Sequence, residues 1–400
     1  MAQQVYLNRF RVLTAVAEAC ALCLFVSIKA PAAEPPPAST PRAIQTVPGM
    51  PPVIDPTNLY SETRSDKFSS VVAKHLPRIY VPNRQSNDVA VIDPATFKVI
   101  DRFPVGINPQ HVVPSWDLKT LWVNNNAEHR TDGSVTPIDP MTGKPGKSIP
   151  VDDPYNMYFT PDGSAAIVVA EQHKRLDFRD PHTMALLYSI ETPRCGGINH
   201  ADFSIDGRYI VFTCEFSGML VKVDWLNKKV LGYLKLSKGG MPQDIRISPD
   251  GKIFYVADMK ADGVFLVDGE KFSEIGFLKT GVGTHGLYPS RDGTQLYIAN
   301  RGSNKVFGPP HGKGSVSVVD FASRKILQTW PMPGGGSPDM GNVSADGKML
   351  WLSGRFDNVV YAIDTMTGKI KTIPDKKEPH GLAVWPLPGR YSLGHTGNLR

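Results

Sequence analysis

The sequence predicts an all-β fold, a seven-bladed β-propeller, because two short motifs recur along the chain with the same period. The first motif is an Asp-Gly pair between apolar segments, which is typical of tight turns between antiparallel strands. The pairs begin at positions 162, 206, 250, 292 and 346, so the intervals are 44, 44, 42 and 54 residues. A repeat of roughly 40–45 residues that consists of strands alone indicates one propeller blade per repeat.

The second motif is a short, mostly apolar segment that ends in aspartate and closes the third strand of a repeat. It occurs at residues 91–93, 137–139, 222–224, 266–268, 318–320 and 362–364. A related segment at 177–180 keeps the aspartate and loses the apolar run. Two independent motifs with one period make a chance repeat a poor explanation.

Together the motifs divide most of the chain into complete four-stranded units. These lie at roughly residues 107–152, 153–193, 194–236, 237–281, 282–334 and 335–377. Residues 78–106 hold only the last three strands of a further unit, and residues 378–400 hold its missing first strand, from His380 to Trp385. The C-terminal strand is therefore predicted to pair with the first blade, which closes the ring and removes open sheet edges. Residues 306–314 are an insertion in the sixth blade.

Residues 1–33 are predicted to be an export signal peptide. Arg9 and Arg11 precede an apolar stretch over residues 12–28, and small residues follow at 30–33, as in secretory signals. Glu18 lies inside the apolar stretch and argues against a stable membrane span, although a retained anchor remains an alternative. The mature protein is accordingly expected in the periplasm or outside the cell.

Residues 34–77 are predicted to connect this signal to a propeller domain at residues 78–400. The segment 34–56 is rich in Pro, Ala and Thr, which predicts an extended, mobile linker. The segment 57–77 is amphipathic enough to predict one short helix. The net charge is +6 and no run of Lys or Arg exceeds two residues, so the composition does not favour nucleic acid as a partner.

Two cysteines remain once the predicted signal, with Cys20 and Cys23, is removed. Cys195 lies just before the first strand of its unit and Cys214 lies at the end of the second strand. These two ends of an antiparallel pair are at the same face of a sheet, so a disulfide between them is expected in an oxidising compartment. The alternatives are two buried thiols or a cysteine that binds a metal.

Histidine and aspartate recur where the innermost strand of a blade begins. Side chains from all blades converge there on the mouth of the axial channel. Imidazole suits copper, zinc and iron, and carboxylates can bind or orient such a site. The candidate metal ligands are His111, His200, His285, His380, Asp244 and Asp339. The alternative is that Pro-His-Gly is a turn whose imidazole bonds to the backbone. His111 and His200 come one position later than His285 and His380, so the four need not all point inward.

The loops between second and third strands add an ionisable rim around the channel mouth. Arginine side chains there could bind an anionic ligand, with ordinary loop salt bridges as the alternative. The candidate ligand-binding residues are Arg84, His129, His173, Arg301 and Arg355. Met157 and Met340 are possible soft copper ligands but are also typical of core packing. His75, His182 and His395 show no interpretable pattern.

The sequence lacks several motifs that would indicate other chemistry. It contains no Gly-x-Ser-x-Gly elbow, phosphate-binding loop, paired-cysteine zinc spacing or haem attachment motif. The Gly334-Gly335-Gly336 run precedes a strand and so does not match a dinucleotide-binding loop.

Several segments resemble the Tyr-Val-Thr-Asn signature of exported YVTN-repeat (YncE-like) propellers over residues 78–400. They are Tyr80-Val81-Pro82-Asn83, Tyr255-Val256-Ala257-Asp258 and Tyr297-Ile298-Ala299-Asn300. The segment Pro379-His380-Gly381-Leu382-Ala383-Val384 and the Ser-Pro-Asp-Gly turn at 248–251 fit the same repeat. The wider superfamily includes the propellers of nitrous oxide reductase and cytochrome cd1 nitrite reductase, which use copper and haem d1. This resemblance implies His ligands at the channel mouth, and it makes copper the candidate cofactor.

The predicted function is an exported propeller that binds a metal or a small anionic ligand at its axial channel. One alternative is a copper-dependent oxidoreductase that uses the His ring. Because the sequence lacks an electron-transfer cupredoxin motif, such an enzyme would need an external redox partner protein. A second alternative is a protein-interaction scaffold, which a large exposed apolar patch would favour.

Overall fold

Seven antiparallel sheets form a closed β-propeller in residues 43–307 and 312–400, the parts of the chain that this computed structural model describes. Six sheets have four strands, and the second blade has five because two short strands pair with its third strand. The predicted fold class is thereby confirmed.

The strands follow the predicted repeat in chain order. Blades one to three comprise β1 Arg78–Asn83, β2 Asp88–Asp93 and β3 Lys98–Pro104; β4 Pro109–Pro114, β5 Leu121–Asn125, β6 Ser134–Asp139, β7 Lys144–Pro145 and β8 Ile149–Pro150; and β9 Pro154–Phe159, β10 Ala166–Ala170, β11 Arg175–Arg179 and β12 Leu186–Glu191. Blades four to seven comprise β13 Ile198–Phe203, β14 Ile210–Cys214, β15 Met219–Asp224 and β16 Lys229–Lys235; β17 Pro242–Ile247, β18 Ile253–Asp258, β19 Gly263–Asp268 and β20 Ser273–Lys279; β21 Thr284–Pro289, β22 Gln295–Asn300, β23 Ser315–Asp320 and β24 Lys325–Pro331; and β25 Pro338–Val343, β26 Met349–Gly354, β27 Val359–Asp364 and β28 Ile370–Pro374. The closing strand is β29 Ala383–Trp385.

The Asp-Gly motif makes the turn between the first two strands of a blade. In blade five, Gly251 has a φ of +71°, a conformation that costs glycine little. The Ser248 hydroxyl donates to Asp250 Oδ1 at 2.7 Å and accepts from the Ile253 N–H at 2.9 Å. The motif therefore supplies both the backbone conformation and the hydrogen bonds of the hairpin.

The apolar core lies between neighbouring blades. In blade five, Ile247, Phe254 and Phe265 are fully buried and pack in one cluster with Val211 and Leu220 of blade four. Burial falls from the axis outward. In blade five, the innermost strand β17 is buried throughout, whereas the outermost strand β20 is largely half-exposed. The innermost strands are thus held rigidly around the channel, and their first residues become the natural place for a site.

The C-terminal strand closes the ring as the sequence predicts. β29 pairs antiparallel with β1, with Ile79 opposite Val384 and Tyr80 opposite Ala383. It is shorter than the predicted strand from His380 to Trp385. Gly381 instead exchanges two 2.9 Å backbone hydrogen bonds with blade two, donating to Gln110 O and accepting from Val112 N. The residues before β29 therefore lie between the first two blades.

The segment 57–77 differs from its prediction. It forms two single-turn 3₁₀ helices, Ser61–Thr63 and Ser70–Val72, where the sequence predicts one short helix. The Tyr60 hydroxyl donates to Ile247 O at 2.7 Å, whereas Val72 packs into the core of blade one. Because its two ends pack on different blades, the segment does not form one continuous helix. Tertiary contacts here outweigh the local helical preference.

The described part of the predicted Pro-rich linker, from residue 43, touches the propeller. Val47 is buried, and its N–H donates to Asp206 O at 3.0 Å. The predicted signal peptide at residues 1–33, the linker before residue 43, and residues 308–311 of the insertion lie outside the described residues. Among the helices that are described, none is long and apolar enough to span a membrane.

Cys195 and Cys214 form a disulfide in blade four, with their Cα atoms 4.9 Å apart. Both residues are fully buried. The bond links the turn before β13 to the end of β14, beside the channel mouth.

Candidate functional site

The starts of four innermost strands, and the segment before β29, bring five predicted metal ligands into the axial channel. His111, His200, His285, His380 and Asp339 are each at most 2% exposed. Ring centroids lie 4.9 Å apart for His111 and His380 and 5.4 Å apart for His111 and His200. The four predicted histidines therefore converge, despite their one-residue offset in sequence.

Irregular strand pairing absorbs that offset. In blade six, Thr284 and Gly286 face successive partners on β22, so His285 is the extra, unpaired residue of a bulge. In blade two, the extra residue is Gln110, and His111 occupies a paired position opposite Asn124. Bulges re-aim side chains, so imidazoles with different sequence offsets reach one channel at different depths.

Gly381 allows the close approach of His111. A Cβ atom at this position would lie only 2.0 Å from His111 Nδ1. The Pro-His-Gly segment before the closing strand thus has two structural roles, because its histidine enters the channel and its glycine makes room for another imidazole.

A three-histidine cluster forms the deeper part of the site. One ring nitrogen from each of His111, His200 and His395 lies within 4.8 Å of the others, and all three residues are fully buried. Both ring nitrogens of His111 and His200, and Nε2 of His395, have no hydrogen-bond partner among the described residues. Buried polar groups without partners cost about 1–3 kcal/mol each, so the unpaired ring nitrogens are the unusual feature of this cluster.

His395 comes from the C-terminal tail and follows no recognisable pattern in the sequence. The tail follows β29 and plugs the far end of the channel, where the Arg400 guanidinium donates to Asp202 Oδ1 at 2.8 Å. The backbone N–H of His395 donates to Met157 O at 2.8 Å, and the Asn156 carboxamide nitrogen lies 2.9 Å from the ring nitrogen Nδ1 of His395. These contacts orient the ring toward His111 and His200.

A second cluster, His285, Asp339 and His380, lies beside the first. His285 Nδ1 is 2.8 Å from Asp339 Oδ1, and His380 Nδ1 donates to Gln110 O at 3.0 Å. Arg301 also donates to Asp339 Oδ1, at 2.9 Å. Asp339 Oδ1 therefore orients His285 and neutralises Arg301, whereas Asp339 Oδ2 has no hydrogen-bond partner among the described residues.

The channel imidazoles are held neutral. Burial lowers the pKa of His111 to about 3 and that of His285 to about 4. Burial also lowers the pKa values of His200, His380 and His395 well below their ordinary value. The pKa of Asp339 falls well below its usual range because Arg301 and His285 outweigh the opposing effect of burial. Neutral imidazole is the form that binds metals.

Asp244, also a predicted metal ligand, lies beside the three-histidine cluster. It accepts hydrogen bonds from Arg246 Nη1 at 2.8 Å and from the Leu287 N–H of the next blade at 2.9 Å. Its Oδ1 is 3.7 Å from His395 Nε2, which is too long for a hydrogen bond. The Asp244 carboxylate thus links blades five and six through its hydrogen bonds.

The predicted methionines occupy different environments. Met340 Sδ lies 3.1 Å from His285 Nδ1, so its thioether borders the second cluster. Met157 is fully buried in the core between blades two and three.

A funnel of about 530 Å³ opens above the histidines, with His285 at its floor. The three predicted arginines, Arg84, Arg301 and Arg355, line it. Arg84 pairs with Glu128 and, at 2.7 Å, with Glu378. Arg355 is 4% exposed and has no hydrogen bond or ion pair from its guanidinium to any described residue. Its charge is directed to the funnel.

The two predicted rim histidines have different positions. His129 lines the funnel, with its ring 6.3 Å from that of Phe307. His173 lies outside the residues that line it and pairs with Asp152, with Nε2 3.0 Å from Oδ2.

Carboxyl groups that follow second strands line the other part of the funnel. Glu215 accepts a 2.7 Å hydrogen bond from Asn199 Nδ2. Burial, followed by the neighbouring Glu215, raises the pKa of Glu171 well above its usual value. Burial also raises the pKa of Glu215. The funnel therefore contains acidic groups that favour a proton or a cation between them.

Asp153, which lies near these carboxyls, makes folding stability dependent on pH. Burial raises its pKa to about 7, whereas an unfolded aspartate has a pKa of about 3.9. Between these values the folded protein keeps a proton that the unfolded chain has lost, so this residue's contribution to stability falls as the pH rises. Asparagine does not titrate, so Asp153→Asn is expected to remove this contribution. It also tolerates the φ of +46° at this position. Urea unfolding of both proteins across this pH range tests the prediction. If the free energy of unfolding changes with pH to the same extent in both proteins, the prediction is contradicted.

A comparison with known proteins identifies the repeat. A family model described as YNCE-like beta-propeller matches residues 41–389. The chain belongs to the YNCE-like β-propeller family. This finding confirms the resemblance seen in the Tyr-Val-x-Asn segments. Over 183 residues, the chain is also 25% identical to antigen Lp49 of Leptospira interrogans, an alignment that covers 40% of this chain and 37% of that relative.

Solved structures share the architecture of this YNCE-like propeller. Hydrazine synthase of Kuenenia stuttgartiensis has a TM-score of 0.58 at 17% identity, covering 68% of this chain and 88% of that chain. Dihydro-heme d1 dehydrogenase NirN in complex with DHE has a TM-score of 0.56 at 15% identity, covering 77% and 75%. A putative 6-phosphogluconolactonase from Bacteroides uniformis has a TM-score of 0.59 at 17% identity, covering 76% and 98%. At these identities the likeness shows the fold alone.

Proposed function

We propose that this YNCE-like propeller is an exported protein that binds a transition-metal ion in its axial channel, with His111, His200 and His395 as the ligands. The observation that carries the proposal is the set of buried ring nitrogens without hydrogen-bond partners among the described residues. Native proteins rarely leave such groups unpaired, and a metal ion would use one lone pair from each ring.

The geometry of the three-histidine cluster suits a small coordination sphere. Zn–N bonds of about 2.0–2.1 Å place tetrahedral ligand nitrogens roughly 3.3 Å apart. The three candidate nitrogens already lie within 4.8 Å of one another, so modest ring movements would complete the site. Imidazole suits zinc, copper and iron, and divalent affinities rise toward copper. Copper is therefore the proposed first choice, and zinc the second.

A second candidate function is a copper-dependent oxidoreductase. It is favoured by the combination of three protein ligands with a funnel that opens above the histidines, since catalytic metal sites keep a coordination position for substrate. Electrons would have to pass to an external redox partner.

Metal analysis of the protein purified without a histidine tag tests the proposal. Wild-type protein, reconstituted with Cu²⁺ or Zn²⁺ and then desalted, is expected to retain a near-equimolar amount of one metal. The double variant His111→Ala/His200→Ala should lose it, whereas His182→Ala, which changes a histidine outside the channel, should not. Circular dichroism must show that the double variant folds. Wild-type protein that retains neither metal would overturn the proposal.

A further inference from the structure

The funnel divides into a basic half and an acidic half. The residue directly after the second strand of each complete blade, or after β1 in the first blade, occupies an equivalent position at the channel mouth. In blade order these residues are Arg84, Asn126, Glu171, Glu215, Met259, Arg301 and Arg355. Blades six, seven and one are neighbours in the closed ring and contribute the three arginines. Blades three and four are neighbours and contribute the two glutamates, so the charges are separated across the mouth.

Stacking on two aromatic rings joins the arginines into one surface. The guanidinium of Arg355 lies 5.4 Å from the ring centre of Phe356 and 6.0 Å from that of Phe307. Arg301 stacks on Phe356 at 5.8 Å and Arg84 on Phe307 at 5.9 Å. Carboxylates inside the protein neutralise Arg84 and Arg301. Arg355 is the central member of this surface and lacks such a partner among the described residues, so it remains to bind an anionic group.

The acidic half has the complementary gap. Glu215 is bonded to Asn199, but the Glu171 carboxyl has no side-chain or backbone hydrogen bond to a described residue. Tyr155 and Gln243 line the same side of the funnel, and the exposed ring of Phe216 lies at its edge. A cationic group between the two glutamates would separate their negative charges, and an apolar group would cover Phe216.

We infer that the funnel binds a zwitterionic ligand of the α-amino-acid type with an apolar side chain, its carboxylate on Arg355 and its ammonium on Glu171 and Glu215. A volume of about 530 Å³ is within the usual range for small-molecule sites. A simple anion would leave the glutamates dependent on a proton, and a simple cation would leave Arg355 without a counter-charge among the described residues. The inference deepens the proposed function, because it names the ligand class of the same channel, but none of its contacts requires the metal.

Calorimetry with three matched probes tests the inference. L-Phenylalanine carries both charges, 3-phenylpropanoate lacks the ammonium, and 2-phenylethylammonium lacks the carboxylate. L-Phenylalanine is expected to bind roughly 10- to 100-fold more tightly than either analogue, the range expected for hydrogen bonds to charged groups. Equal binding of the three probes, or no binding of L-phenylalanine, would overturn the inference.

Two variants test the assigned contacts. Arg355→Gln should abolish the preference for L-phenylalanine over 2-phenylethylammonium, and Glu171→Gln should abolish its preference over 3-phenylpropanoate. Lys174→Gln changes an exposed cation on the same rim and should retain both preferences. Variants that weaken all three probes equally would contradict the assigned contacts and indicate a structural role for these residues.

Titrations of chelator-treated and metal-loaded protein separate the two proposals. Selective L-phenylalanine binding in both forms supports the inference. Metal retention without selective binding overturns the inference and leaves the metal proposal standing. Selective L-phenylalanine binding by a protein that retains no metal supports the inference and overturns the metal proposal.

Discussion

Replacing His395 with asparagine is expected to weaken metal binding by more than about 100-fold, while the propeller stays folded. Loss of a residue that merely orients a ligand costs about 10- to 100-fold in affinity, and His395 is proposed as a ligand itself. Asparagine suits the test because it tolerates the φ of +52° at this position and removes the imidazole. Competition with a chelator of known affinity, using Cu²⁺, measures the change.

The matched control is His75→Asn. His75 is also a buried histidine, but its Nδ1 accepts a 3.0 Å hydrogen bond from the Trp385 indole, outside both histidine clusters. It should therefore retain wild-type metal affinity, even if stability falls. If His395→Asn binds Cu²⁺ as tightly as wild-type protein, the C-terminal tail supplies no ligand and the proposed set of three histidines is wrong.

Replacing Trp385 with alanine is expected to destabilise the protein by about 3–5 kcal/mol, the usual cost of truncating a buried tryptophan or phenylalanine. Trp385 is 1% exposed, belongs to the core of the first blade and faces Arg78 across the closing strand pair. Its loss would leave a cavity at the junction between the first and last parts of the chain. Chemical unfolding monitored by circular dichroism measures the change in the free energy of unfolding.

Leu327→Ala is the control for this prediction. Leu327 lies on an outer strand and is 51% exposed, so its truncation should change stability by no more than about 0.5 kcal/mol. Should Trp385→Ala cost no more than Leu327→Ala, the closing strand would not be important for the stability of the ring.

The fold could be predicted because its signals are local and repeated. An Asp-Gly turn such as Asp250-Gly251 requires only a positive φ and a few hydrogen bonds with near neighbours. Six complete units and a seventh that lacks its first strand, together with an extra strand at the C-terminus, imply closure. The helix predicted in residues 57–77 was wrong because Tyr60 and Val72 pack on different blades, and no local pattern contains that information.

The candidate site was visible only in part. His111, His200, His285 and His380 could be recognised because they recur at equivalent strand starts, and the structure brings them together. Their depths in the channel depend on strand bulges, as at His285, which the sequence did not show. Asp244 occupied the same sequence position, but it bonds to Arg246 and to the backbone of the next blade.

The sequence by itself determined the blade repeat, the closure of the ring and the residue types at the channel mouth, because each depends on short-range periodicity. Only the tertiary structure decided which of these residues meet. His395 follows the last repeat and reaches the channel through a tail that buries Tyr391 and Leu393. The separation of arginines from glutamates likewise arises when the closed ring places blade seven beside blade one. Long-range packing and ring closure, which leave no local pattern, therefore assembled the site.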